Sequence, residues 1–187
     1  MIEASVPKPS KTTPLRVVLV LLVAAVLAAL VWALVIKSGG SSKPAANAKP
    51  SAATVAGLEE LAGTLKHPIY WAGEKPGYTY ELTKTDSGNV YVRYLPKGVQ
   101  VGDLRADFLT VGTYPDANPM RRLGAALKRK GTIRFNVPDG GTAVQDSAHP
   151  TSVYLAYPNS SLLLEVFEPS PAKARAVVKS GVIRPVG

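Results

Sequence analysis

Between residues 77 and 167, apolar and polar side chains alternate in short bursts. Val90, Val92 and Tyr94 alternate with Tyr91 and Arg93, and Val153, Leu155 and Tyr157 alternate with Tyr154 and Ala156. The clusters Asp86-Ser87-Gly88-Asn89 and Pro138-Asp139-Gly140-Gly141 supply turns between bursts. Period-two alternation between tight turns predicts a largely antiparallel sheet. Two further apolar strands are predicted in FLTVGTY at 108–114 and LLLEVF at 162–167. Helical signals follow each of them. Asn118-Pro119 and Ser170-Pro171 place a side-chain oxygen at an N-cap and a proline at the first helical position, and Gly131 and Gly181 stand where a helix would close. Met120, Leu123 and Leu127 make one face of the first helix, and Ala174, Val177 and Val178 one face of the second.

The order of these elements predicts an internal duplication. At an offset of 63, residues 77–94 and 140–157 match at Gly77/Gly140, Thr79/Thr142, Val90/Val153, Tyr91/Tyr154 and Tyr94/Tyr157. Each copy continues through a third strand and a helix into a short strand, GTIRFNV or GVIRPV. The predicted fold class is α+β: a transmembrane helix, then a duplicated β-β-β-α-β domain whose mostly antiparallel sheet is covered by two helices.

A different pattern precedes the domain. Residues 17–36, VVLVLLVAAVLAALVWALVI, carry no charge and are closed by Arg16 and Lys37. As a helix this run would be about 30 Å long, the thickness of a bilayer's hydrocarbon core. It shows no polar face of the kind an amphipathic core helix needs. The small-residue pattern of Ala46 and Ala48 lies too far beyond it for a signal-peptidase site. An uncleaved signal anchor is therefore expected. The predicted organisation is a cytoplasmic tail at 1–14, a transmembrane helix at 15–37, a flexible Ala/Pro/Ser/Lys linker at 38–57 and the folded domain at 58–187, with repeat-like halves 77–137 and 140–187. The flanking charges are nearly balanced, with Lys8, Lys11 and Arg16 before the run and Lys37, Lys43 and Lys49 after it. The shortness of the tail and the stalk-like linker favour a C-terminal domain outside the cytoplasm.

Charge changes little in this picture. The formal net charge is +9, but from Ser51 onward 16 Lys/Arg face 12 Asp/Glu, so over half of the excess is membrane-proximal. That distribution suits anionic headgroups and argues against nucleic acid as the partner. The chain has no cysteine, which excludes a lipoprotein anchor and disulfides.

Catalytic motifs are absent: no P-loop, no G-x-S-x-G, no H-E-x-x-H and no zinc-type spacing. No cofactor or metal is implied. The densest unusual cluster is HPIYWAG at 67–73 followed by Tyr78 and Tyr80. His67, Tyr70, Trp71, Tyr78 and Tyr80 either line a groove for a ring, peptide or headgroup, or plug the core as the domain's first strand. Arg121, Arg122, Lys128, Arg129, Lys130 and Arg134 make a basic patch, read as a solvated helix face or as a contact for anionic lipid or polymer. Asp103 and Asp107 invite a carboxylate-pair or metal reading, but with no third ligand nearby they are expected to be solvated loop residues, and His149 is expected to be an exposed turn residue.

The strings HPIYWAG, VYVRYLP and FLTVGTYP resemble those of uncharacterised bacterial single-pass membrane proteins with an exported domain. The resemblance covers roughly residues 60–186. It implies envelope placement and carries no activity or site residues.

The sequence thus points to a membrane-anchored, extracytoplasmic binding module of the bacterial cell envelope, held in the cytoplasmic membrane through residues 17–36. Its partner would be an envelope protein or polymer. Two alternatives stay open: an envelope hydrolase with a site of unfamiliar pattern, and a cytoplasmic-facing domain that binds anionic lipid or nucleic acid.

Overall fold

The computed structural model describes residues 48–186, and ten strands and three helices lie within them. In chain order these are β1 (Ser51–Ala53), α1 (Val55–Leu65), β2 (Tyr70–Trp71), β3 (Tyr78–Lys84), β4 (Val90–Pro96), β5 (Thr110–Pro115), α2 (Pro119–Ala126), β6 (Thr132–Asn136), β7 (Thr142–Asp146), β8 (Ser152–Ala156), β9 (Leu162–Phe167), α3 (Pro171–Lys179) and β10 (Arg184–Pro185). Eight strands form one continuous antiparallel sheet in the order β1-β3-β4-β5-β9-β8-β7-β6. β2 and β10 pair separately, with Arg184 opposite Trp71.

Local chemistry accounts for the hairpins. Between β3 and β4 the chain reverses through Gly88 at φ +82°, while the Thr85 hydroxyl accepts the Asn89 amide at 3.1 Å. This sets Tyr80 opposite Tyr94 and Leu82 opposite Val92. The two hairpins then meet at the middle of the sheet, where β5 runs antiparallel to β9 with Thr113 opposite Leu164.

Alternation divides the core between the two faces of the sheet. On one face Val90, Val92, Tyr94, Val111, Val153, Leu155, Leu164 and Val166 are buried beneath Leu58 of α1, Trp71 of the β2–β10 ribbon, and Ala174 and Val178 of α3. This is the strapped face. On the other, Tyr114, Val144, Tyr154, Ala156 and Leu163 pack against Leu123 and Ala126 of α2.

This architecture corrects the expected fold class. The domain is dominated by one eight-stranded sheet with three helices. The halves are not two copies of a β-β-β-α-β unit. α2 and α3 cover opposite faces, and their final strands diverge: β6 extends the large sheet beside β7, whereas β10 leaves it for β2. Amphipathic spacing shows that a helix must pack on a sheet, but not on which face. That choice falls to the short crossovers after Pro115 and Phe167. The expected linker also contributes structure, because β1 and the start of α1 fall within 38–57. The Thr54 hydroxyl caps α1 by accepting the Gly57 amide at 3.1 Å. Among the described residues no helix is long and apolar enough to cross a membrane. The tail at 1–14, the run 17–36 and most of the linker lie outside the described residues.

Candidate functional site

The aromatic cluster is divided by the fold. Trp71 is 4% exposed, meets Tyr80 edge-on at 5.6 Å between ring centroids, and Tyr80 meets Tyr94 edge-on at 5.3 Å. The Tyr94 hydroxyl accepts the Ala72 amide at 2.7 Å and donates to the Gly73 carbonyl at 3.1 Å. These two bonds fasten the β2 segment over the sheet, and burial raises the Tyr94 pKa well above its ordinary value. Tyr70 stacks on Tyr157 at 5.7 Å, and its amide donates to the Thr113 hydroxyl at 3.0 Å. The Nδ1 of His67 lies 3.0 Å from the carbonyl of Pro68, a bond to its own loop. Trp71 and Tyr70 therefore hold a strap in place, and the five candidate residues do not share one groove.

Tyr78 is the member of the five that lines a cleft. This cleft of about 420 Å³ lies on the strapped face, between the ends of β3 and β4, the segment 107–109 and α3. Phe108 and Val177 add apolar wall, and four charged residues surround it: Lys75, Asp107, Glu168 and Lys173. Lys75 Nζ sits 4.2 Å above the Tyr78 ring, a cation–π contact. The ion pairs of the described residues lie elsewhere, between Arg93 and Glu81, Arg105 and Asp103, Arg122 and Asp116, and Arg129 and Asp146. The cleft thus presents two cations and two carboxylates beside aromatic and aliphatic walls, and none of the four belongs to those ion pairs. Sequence reasoning missed it because its walls come from separated segments.

The basic patch is also split. Arg122 pairs with Asp116, Arg129 with Asp146 at 3.3 Å, and Arg134 reaches the Thr142 hydroxyl at 3.3 Å. Arg121, Lys128 and Lys130 stand exposed. Asp103 and Asp107 do not act as a pair. Arg105 holds Asp103 with two side-chain bonds, which lower the Asp103 pKa to about 2, while Asp107 lies at the cleft. Among the described residues, no group of three His, Asp or Glu side chains is placed to hold a metal ion.

Two buried carboxylates were not singled out by the sequence, and both lie on the α2 face of the sheet. Glu165 of β9 is 2% exposed and accepts three hydroxyls: Tyr114 at 2.5 Å, Ser152 at 2.7 Å and Tyr154 at 3.1 Å. Gly112 makes room for this cluster, because a Cβ there would lie 2.6 Å from the Tyr114 hydroxyl. Burial raises the Glu165 pKa, and the three hydroxyls oppose that rise. Glu81 of β3 receives Arg93 Nη1 at 2.5 Å and the Gly102 amide at 2.5 Å, and Arg93 also donates to the Asp103 and Arg105 carbonyls. A lone glutamate inside the apolar strand LLLEVF was the available signal for the first of them. Both groups are closed in by their partners and hold structure together. Compared with family models, with curated proteins and with solved structures, the chain matches none.

Proposed function

We propose that this protein is a binding module of the bacterial cell envelope, attached to the cytoplasmic membrane through residues 17–36, and that its ligand seats in the cleft beside Tyr78. One observation carries the reading: an open cleft of about 420 Å³ with Lys75, Lys173, Asp107 and Glu168 around apolar walls of Tyr78, Phe108 and Val177. Concave sites with an apolar body and a few polar groups are the usual form of ligand sites. Charges of both signs suit a zwitterionic, peptide-like segment of an envelope protein or polymer, whose own charges would replace solvent at all four positions. Membrane attachment and envelope placement rest on the uncharged run 17–36 and on the resemblance of the strings in 60–186 to exported domains.

Calorimetric titration of the purified full-length chain with short zwitterionic peptides containing Lys and Glu tests the cleft. Tyr78→Ala and Lys173→Glu should each weaken binding at least fivefold, Lys173→Glu at unchanged melting temperature and Tyr78→Ala with the fold retained but less stable, since its ring also packs on the core. Unaltered affinity in both variants would contradict the assignment. Placement is tested by protease treatment of intact spheroplasts: the domain should be cut, and protection would place it inside.

A further inference from the structure

β6 is one end of the eight-stranded sheet; it pairs with β7, and among the described residues no strand pairs with its other side. The bonds around it settle which backbone groups face outward. The Ser147 amide donates to the Gly131 carbonyl, the Val137 amide donates to the Gly141 carbonyl, and the register between them sets Ile133 opposite Gln145 and Phe135 opposite Ala143. Antiparallel ladders bond at alternate pairs, so the odd-numbered residues of β6 serve β7 while Arg134 and Asn136 turn their N–H and C=O outward. The opposite edge differs. β1 has three residues, Ser51–Ala53, which is the short form that blunts an edge. β6 has five, with the β-branched Ile133 44% exposed.

Side chains on this edge sort by face. Ile133 and Phe135 lie on the strapped-face side with Ala143, and Arg134 lies on the α2 side with Val144. Lys128 and Lys130 are exposed just before the strand, and Lys179 Nζ sits 5.3 Å from the Phe135 ring centroid. Asp146, the acidic residue opposite the start of β6, is engaged with Arg129 at 3.3 Å, and Asp139 follows the strand's end. Cations on an edge strand guard against self-pairing. A guard alone does not require Ile133 to stand open beside them. A second copy is a poor occupant, since it would bring the same cations to the same edge.

We propose that β6 is a strand-addition site for an extended acidic segment of another protein, one that alternates Glu or Asp with β-branched or aromatic residues. Its backbone would bond to Arg134 and Asn136, its carboxylates would face Arg134, Lys128 and Lys130, and its apolar side chains would lie beside Ile133 and Phe135. This site is separate from the cleft and stands whether or not the cleft binds.

The test uses the full-length chain and eight-residue peptides that alternate Glu with Val, Ile, Thr or Tyr. Binding should slow hydrogen exchange at the Arg134 and Asn136 amides. N-methylation of the peptide's edge-facing amides should abolish it, and Arg134→Glu or Lys130→Glu should weaken it at least tenfold. Three results would overturn the proposal. One is no binding by any peptide of the set. Another is equal binding by the N-methylated peptides, which would reduce the effect to charge. The third is a peptide-free dimer in sedimentation that protects the same two amides, which would make a second copy the occupant.

Discussion

Replacing Tyr114 by Phe removes one hydroxyl and keeps the buried ring. That hydroxyl donates to Glu165 Oε2 at 2.5 Å, while Ser152 and Tyr154 both serve Oε1. The variant leaves a carboxylate oxygen without its donor in a site that is 2% exposed. A hydrogen bond to a charged group contributes about 1.5–3 kcal/mol, so the expected loss at neutral pH is about 2 kcal/mol. The loss should depend on pH with a definite sign. Burial raises the folded-state pKa of Glu165, so the folded protein binds the proton more tightly than the unfolded chain. Stability therefore falls as pH rises from the unfolded carboxylate value to the folded one, and is level above it. The Tyr114 bond opposes the rise in pKa, so Tyr114→Phe should widen that window upward and cost less near pH 4 than at pH 7. Urea unfolding at the two pH values measures both costs. Glu165→Gln should flatten the dependence, and in that background Tyr114→Phe should cost only about 1 kcal/mol, the worth of a neutral hydrogen bond. An equal cost at both pH values, or additive single and double variants, would refute this account of the cluster.

Two further outcomes follow from the polar contacts. Arg93→Ala leaves Glu81, 1% exposed, without its cation and with only the Gly102 amide, so unfolding should ease by about 3 kcal/mol, and the segment 99–108 should become the first site of proteolytic cutting, as limited proteolysis would show. Tyr94→Phe takes away both bonds that fasten Ala72 and Gly73; with Trp32 replaced by Phe, Trp71 fluorescence should shift to the red, and stability should drop by about 2 kcal/mol in denaturant melts.

Much of the sheet was legible because its signals are local. Val90, Val92 and Tyr94 do point to one face, and Gly181 does follow the end of α3 at φ +74°, whereas α2 ends at Ala126 and Gly131, at φ +84°, sits instead in the turn into β6. The helix caps were half legible. The Ser170 hydroxyl accepts the Lys173 amide at 3.5 Å, whereas the Asn118 side chain caps nothing and its own amide donates to Asp116 instead. α1 was hidden by composition: its Ala and Gly content matches the stalk before it, and Leu58 is its one fully buried residue. What no local signal carries is the side of the sheet on which a helix lands, and the apparent duplication failed there. The same limit applies to the sites. HPIYWAG drew notice as a dense aromatic string, yet the Tyr94 hydroxyl, 22 residues from Ala72, decides that it is a strap. Tyr78 entered the candidate set for its neighbours in sequence, but Phe108, Glu168 and Lys173 make it part of a cleft.

The central claim is that ligand recognition belongs to that cleft, and amide chemical-shift mapping of the full-length chain during titration with a zwitterionic Lys- and Glu-containing peptide tests it most directly. Shifts gathered at Lys75, Tyr78, Phe108, Glu168 and the 173–177 segment of α3, lost in Tyr78→Ala, are the predicted result. Shifts confined to Arg121, Lys128 and Lys130, with the cleft amides unmoved, would contradict it.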